Sequence, residues 1–322
     1  MNRKITSIVT ALAMSACVLA GCGSADAADV SASDKGGSIS IVTTTFPVYD
    51  WVRNVTEGTG AEITILEDSG ADLHNFQPTA EDIVKIKSGD LFVYIGGESD
   101  EWAEKLLEED PSINSINLLD ALGDKAKMEE DVEGAEAEEE EEEEEYDEHI
   151  WLSLRNAKTC CNSLSEVLCN IDPDNRDTYT TNSETYGQKL EALDLQYKNM
   201  VGQAKTNTLL FADRYPFRYM ADDYGLKCYA AFSGCSAETE ASFETITFLA
   251  GKVDENSLDH IAVLEGSDCR IADTILDNAE KKNVSVVVLD SMQNITRSDI
   301  DDGRTYLGIM EDNLLSLEAA LS

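Results

Sequence analysis

Three histidines are the side chains in this sequence best suited to bind a metal ion. His74 and His149 lie in predicted loops, and each has a carboxylate close by in sequence, Asp72 or Glu148. Neutral imidazole is a common metal ligand, so the pair predicts a metal site. A structural role is the alternative for any lone histidine. It is the better interpretation of His260, which precedes a predicted strand at its amino end.

Three acidic residues follow predicted strands in the second half of the chain. Asp213 follows NTLLFA, Glu265 follows HIAVL and Asp290 follows VSVVVL. Ligands gather at the carboxyl ends of parallel strands, so these acids and the two histidines could close on one cation. Mixed nitrogen and oxygen donors suit Zn²⁺ or Mn²⁺ better than Cu(I), which prefers sulfur. For each acid alone, capping of the following helix is the alternative.

Composition limits the classes of partner. The 322 residues carry a formal net charge of −40. This length favours two domains, and the shortage of clustered Lys and Arg argues against binding of nucleic acid. A negative surface attracts cations, although solubility or a salty habitat would favour the same composition.

The N-terminus has the pattern of a bacterial lipoprotein signal. Arg3 and Lys4 precede an apolar stretch that ends in LAGC, with Cys22 as its last residue. The pattern predicts a signal peptide over 1–21, lipidation of Cys22 and a flexible tether over 22–37. Plain secretion after another small residue is the alternative. The lipid would anchor the protein to the membrane on its outer or periplasmic side.

Apolar periodicity predicts an α/β fold. Strand and helix patterns alternate in two halves, which is typical of mainly parallel sheets flanked by helices. The predicted parts are a first lobe over 38–172, a linker helix over 173–205 and a second lobe over 206–322. One face of the linker helix carries apolar residues at helical spacing: Tyr179, Tyr186, Leu190, Leu193 and Tyr197.

One segment of the first lobe has no apolar periodicity. Residues 129–148 contain 15 Asp and Glu and no Lys or Arg, with eight consecutive glutamates at 138–145. Such a charge block predicts a disordered loop, here over 123–148. Outside this segment, Cys235 and Cys269 are a candidate pair for a disulfide, since export permits disulfides without requiring them.

Several blocks resemble the solute-binding lipoproteins of zinc and manganese ABC importers. They are TTTFPVYDWVRNV, ADLHNFQPT, DEHIWLS, FRYMADDYGL, AETEAS and VVVLDSM, in family order and over nearly the whole mature chain. The resemblance implies two α/β lobes joined by one long, rigid helix, with the metal buried between them. It also implies a binding protein rather than an enzyme, with the permease and ATPase of an importer as partners.

The resemblance assigns ligands residue by residue. His74, His149 and Asp290 match family ligand positions, and Glu265 matches an acid near the site. The remaining family ligand falls on Arg214, whose guanidinium cannot bind a metal. Two alternatives stay open: Asp213 substitutes as ligand, or Arg214 pairs with a carboxylate and leaves three protein ligands plus water.

The glutamate run lies where many zinc-binding members carry a histidine-rich loop. Its carboxylates could raise the local concentration of cations, or the segment could be a solvated insertion. The function favoured is capture of Zn²⁺, or less readily Mn²⁺, for import. A surface adhesin, a metal-buffering lipoprotein and an extracellular zinc hydrolase are the alternatives. The hydrolase is disfavoured because no HExxH or nucleophile motif occurs.

Overall fold

A computed structural model of the protein describes residues 38–129, 132–135, 145–235 and 240–322. The predicted signal peptide over 1–21, the tether over 22–37 and the lipidation of Cys22 lie outside these residues. Within the described ranges, no helix is both long and apolar enough to cross a lipid bilayer.

The first lobe is built on four short strands: β1 (Ser40–Thr43), β2 (Glu62–Ile65), β3 (Leu91–Tyr94) and β4 (Ser115–Asn117). They form a parallel sheet in the order β2-β1-β3-β4, in which Val42 lies opposite both Thr64 and Phe92. The central strands β1 and β3 are largely β-branched or aromatic and are buried on both faces. This is the pattern expected of parallel strands covered by helices.

The helices of this lobe within the described ranges are α1 (Phe46–Val55), α2 (Ala80–Ser88), α3 (Glu101–Glu109), α4 (Leu118–Leu122) and α5 (Leu154–Ile171). The start of α2 shows how sequence specifies a boundary. Thr79 Oγ1 accepts from the Asp82 N–H at 3.2 Å, and Asp82 Oδ2 accepts from the Thr79 N–H at 3.0 Å. This reciprocal capping box satisfies two backbone donors that the helix leaves unpaired.

A long helix links the lobes. A short 3-10 turn, Pro173–Asn175, leads into α6 (Arg176–Val201), whose 26 residues span about 39 Å. The five apolar residues predicted for its inner face are all buried. Asn182 donates to the Val55 carbonyl in the first lobe at 3.0 Å, and the Tyr197 hydroxyl donates to the Met310 carbonyl in the second at 2.6 Å. The helix therefore holds both lobes.

The second lobe repeats the architecture. Its strands are β5 (Thr208–Arg214), β6 (Lys227–Phe232), β7 (His260–Leu264) and β8 (Ser285–Leu289), parallel in the order β6-β5-β7-β8. Its helices are α7 (Arg218–Tyr224), α8 (Phe243–Glu255), α9 (Arg270–Asn278), α10 (Arg297–Asp301) and α11 (Tyr306–Leu321). The predicted class, two parallel-sheet lobes with helices on both faces and a long connecting helix, is confirmed.

The predicted bounds of the acidic loop, 123–148, differ from the structure at both ends. Gly123–Lys125 forms a 3-10 turn, and the two flanks of the segment pair through their backbones. Glu129 N–H donates to the Glu145 carbonyl at 2.7 Å, and Asp147 N–H donates to the Lys127 carbonyl at 2.8 Å. These flanks are ordered by hydrogen bonds, which cannot be read from the apolar periodicity of the sequence. Most of the glutamate run lies outside the described residues.

Candidate metal centre

His74 lies in a short 3-10 turn, Leu73–Asn75, that follows β2. Asp72 caps the turn, since its Oδ1 accepts from the His74 backbone N–H at 3.1 Å. On the imidazole, Nδ1 lies 3.1 Å from Glu148 Oε1 and 2.9 Å from Ser99 Oγ. A carboxylate and a hydroxyl therefore orient the ring through Nδ1 and leave Nε2 to face the cleft between the lobes.

His149 is fully buried and stands between the acidic segment and a 3-10 turn, Ile150–Leu152. Asp147 Oδ1 accepts from the His149 backbone N–H at 2.8 Å and lies 2.9 Å from Nδ1. This contact favours the tautomer with its proton on Nδ1 and a lone pair on Nε2. Burial acts to lower the pKa of His149, but the carboxylates of Asp147, Glu148 and Glu129 outweigh burial and raise it overall.

The two imidazoles converge on the side chain of Gln293. Gln293 Nε2 lies 2.9 Å from His74 Nε2 and 2.9 Å from His149 Nε2, and the two ring centroids are 5.4 Å apart. An amide nitrogen carries two hydrogens and can donate one to each ring. Gln293 is buried in the second lobe, after β8. Both Nε2 lone pairs are thus directed at one point between the lobes.

Glu148 is a buried carboxylate that the backbone holds in place. Its Oε2 accepts from the Ser99 N–H at 2.9 Å. Gly97, with φ +87°, makes this close approach possible, because a Cβ there would lie 2.9 Å from Glu148 Cβ. Burial acts to raise the pKa of Glu148, but contact with His74, together with His149 and Ser99, brings it below the ordinary value. The carboxylate is therefore charged beside the imidazole of His74.

The thiol of Cys235 lies near the two histidines and Glu148. Cys235, in the loop after β6, donates its S–H to Glu129 Oε1 at a distance of 3.0 Å between sulfur and oxygen. His74, Glu148, His149 and Cys235 each offer one ligand atom, and these atoms lie within 4.8 Å of one another. Two imidazoles, a carboxylate and a thiol in a cleft form a donor set suited to a transition metal.

Comparisons with known proteins show the family to which the chain belongs. A model of the family described as "Zinc-uptake complex component A periplasmic" matches residues 41–320. The chain belongs to this family. The resemblance found in the sequence blocks is confirmed, and so is the expectation of a solute-binding protein rather than an enzyme.

Two relatives and one solved structure show how far the similarity to this zinc-uptake family extends. The high-affinity zinc uptake system protein ZnuA of Bacillus subtilis is 30% identical over 313 residues, which is 96% of each chain. The zinc-binding lipoprotein AdcA of Streptococcus pneumoniae is 30% identical over 285 residues, 88% of this chain and 56% of AdcA. The chain thus spans about half the length of AdcA. The Zn(II)-bound ZnuA-like domain of AdcA has a TM-score of 0.71 at 29% identity and covers 88% of this chain and 99% of that domain.

The family resemblance predicted Asp290 as a ligand, and the structure gives its carboxylate other partners. Asp290 Oδ2 accepts from Arg304 Nη2 at 2.5 Å, and Oδ1 accepts from the Met292 N–H at 2.8 Å. Asp290 is not part of the four-residue group described above. Coordination by Asp290 stays a prediction, and it would require Arg304 to release the carboxylate.

The other two predicted acids, Glu265 and Asp213, also hold strand-end loops. Glu265 accepts from the Ser291 N–H and hydroxyl, both at 2.7 Å, and so shapes the loop that presents Gln293. Burial and the neighbouring charge of Asp290 raise the pKa of Glu265 to about 7. Asp213 Oδ2 accepts from the β7 backbone at 3.3 Å. Their coordination of metal likewise stays a prediction.

Arg214, which the resemblance places at a ligand position, pairs with Asp72 across the cleft. Of the two alternatives from the sequence, this contact favours the pairing of Arg214 with a carboxylate. Burial acts to raise the pKa of Asp72, but the Arg214 guanidinium brings it below the ordinary value. An ion pair between the lobes thus stands where the resemblance implied a metal ligand.

Sequence reasoning missed three contributors, Asp147, Gln293 and Cys235, and it noted Glu148 only as a neighbour of His149. The adjacent pair Asp147-Glu148 was a signal, because each acid lies within two residues of His149. No sequence signal indicated Gln293, since an amide after a strand is unremarkable. The bridge considered between Cys235 and Cys269 is wrong, because both thiols are free in the structure.

Proposed function

We propose that this protein is an extracytoplasmic receptor that captures Zn²⁺ between its lobes and delivers it to an ABC importer. The observation that best supports this is the convergence of His74 Nε2 and His149 Nε2 on one atom, each at 2.9 Å. Nitrogen ligands bind zinc at about 2.0–2.1 Å, so a small inward movement of two oriented rings would close on the ion. Membership in a zinc-uptake family supports the same cargo.

Zinc fits this donor set better than manganese. Mn²⁺ favours carboxylate, carbonyl and water oxygens, whereas imidazole suits zinc. The two carboxylates nearest to the histidines, Asp147 and Glu148, contact Nδ1 atoms and can act as outer partners of ligating imidazoles, and Glu148 also offers an oxygen to the four-atom group. The relatives reported above are named for zinc. In this proposal, manganese binds the site more weakly than zinc.

The proposed partners are the permease and ATPase subunits of an importer, with a lipid on Cys22 as the membrane anchor. The lobes contact each other closely around the histidines. Trp151 Nε1 donates to the Ser291 carbonyl at 2.8 Å, and the Tyr306 hydroxyl donates to the Trp151 carbonyl at 2.6 Å. Metal that binds best when the lobes meet would shift the population toward this arrangement, which a permease could recognise.

Calorimetric titration of zinc into the purified full-length protein tests the proposal. Wild type should bind about one Zn²⁺ tightly, and the double variant His74→Ala with His149→Ala should lose tight binding. His260→Ala is the matched control, because His260 starts β7, a strand of the second lobe. It should bind zinc as wild type does. Unchanged tight binding in the double variant would refute the site.

A further inference from the structure

The strongest feature that the proposed function leaves unused is the thiol of Cys235. We infer that Cys235 is the zinc ligand contributed by the second lobe and the residue that discriminates zinc from manganese. This inference rests on the zinc-receptor function proposed above and deepens it. It assigns a role to a side chain that neither the sequence blocks nor the resemblance singled out as a ligand.

The position of Cys235 is the first argument. Its sulfur belongs to the group of four ligand atoms within 4.8 Å of one another, and the other three members come from the first lobe. Gly234 brings this loop against His149, since a Cβ at Gly234 would lie 3.1 Å from His149 Cε1. A side chain at 234 would crowd the imidazole and require the ring or the loop to shift. The absence of a side chain there lets the loop place the next residue beside the histidines.

The second argument is that other second-lobe groups are engaged elsewhere. Asp290 pairs with Arg304, Glu265 binds the Ser291 loop, and Arg214 is a cation. Cys235 is a free thiol, and among the described residues its S–H donates to Glu129, an exposed residue. A zinc ion already bound to two imidazoles can therefore recruit Cys235 without breaking an ion pair within the second lobe.

Binding of Cys235 to zinc requires that the thiol lose its proton. The S–H bond of Cys235 breaks, its proton passes to the Glu129 carboxylate, and the sulfur lone pair forms the bond to Zn²⁺. The protonated Glu129 can then lose the proton to solvent. Thiolate is a soft ligand that favours zinc and disfavours manganese, so a sulfur donor would provide selectivity that imidazoles and carboxylates alone provide less well.

Substitution of Co²⁺ for zinc gives a direct readout. Cobalt-loaded wild type, kept reduced, should show a near-ultraviolet charge-transfer band from a thiolate, and Cys235→Ala should lose it. Cys269→Ala is the matched control, since Cys269 is another partly buried free thiol of the second lobe. In titrations, Cys235→Ala should weaken zinc binding by more than the roughly 10–100-fold typical of losing an outer partner, and should weaken manganese binding much less.

A chemical readout covers the case in which a variant folds poorly. In wild type, zinc should protect Cys235 but not Cys269 from alkylation, as measured by mass spectrometry of peptides. Tight zinc binding with no thiolate band and no protection would overturn the role of Cys235 and leave the zinc-receptor function standing. Absence of tight zinc binding in wild type would overturn both.

Discussion

The two lobes share a sheet topology but contribute to the metal centre in different ways. The first lobe provides both histidines, and a carboxylate already holds the Nδ1 atom of each. The second lobe provides Gln293, which donates to both rings, and Cys235, whose thiol is bonded to Glu129. The first lobe is therefore organised to receive a cation, whereas the second lobe must exchange existing contacts to join it.

This difference suggests an order of events. Zinc would meet the two imidazoles first, because Asp147 and Glu148 hold their Nδ1 atoms and orient the Nε2 lone pairs. The second lobe would follow as Gln293 gives up its bonds to the histidines and Cys235 leaves Glu129. Preorganised groups lose less conformational entropy on binding, so the first lobe should determine the initial capture of zinc, and the second should add affinity and selectivity once Cys235 joins.

Loss of the carboxylate behind His149 tests whether the first lobe is preorganised. Asp147→Ala removes the acceptor that orients both the backbone and the ring of His149, so zinc affinity should fall roughly 10–100-fold. Asp147→Asn, which keeps an acceptor oxygen, should lose less. Asp124→Ala, an exposed acid of the same segment, is the control and should change little. An Asp147→Ala protein with wild-type affinity in calorimetry would remove the basis for calling the first lobe preorganised.

The cross-lobe ion pair should affect stability more than affinity. Arg214 and Asp72 expose only 17% and 21% of their side chains, so Arg214→Ala leaves a mostly buried carboxylate without its partner. We expect unfolding free energy to fall by about 1–2 kcal/mol in denaturant titrations. Zinc affinity should change less than in Asp147→Ala.

Arg270 provides the matched control for that variant. It pairs with Asp268 at the surface, where the two side chains are 78% and 60% exposed. Because exposed pairs contribute little, Arg270→Ala should change unfolding free energy by less than about 0.5 kcal/mol. Equal losses in the two variants would show that the Arg214 contact is no stronger than a surface pair.

The glutamate run should have the smallest equilibrium effect. Deletion of 136–144 spares Glu129, which contacts Cys235, and Glu133, which lies 3.6 Å from Lys252. We expect an unchanged zinc dissociation constant and, at low salt, slower association on the order of tenfold in stopped-flow measurements. A variant in which a Gly-Ser segment of equal length replaces 136–144 removes the charge and keeps the length, and so separates the two effects. Equal slowing at high salt would contradict an electrostatic role, because salt screens exposed charges.

Features that depend on neighbours in sequence were predicted well. The capping box at Thr79 and Asp82 needs only a spacing of three residues, and the buried face of α6 needs only helical periodicity. His74 and His149 were recognised because histidine is rare here and chemically distinctive. The order in the flanks of the acidic segment was not predicted, since at Asp147 it comes from hydrogen bonds with His149 and Lys127.

The sequence by itself determined the alternation of strands and helices, the linker helix and the two imidazoles, because local propensity and residue chemistry specify each of them. Only the tertiary structure decided that Gln293 meets both histidines, that Cys235 stands beside them and that Arg214 pairs with Asp72. The physical reason is distance along the chain. Gln293 is 219 residues from His74, and such a contact depends on how two lobes pack and not on any local pattern.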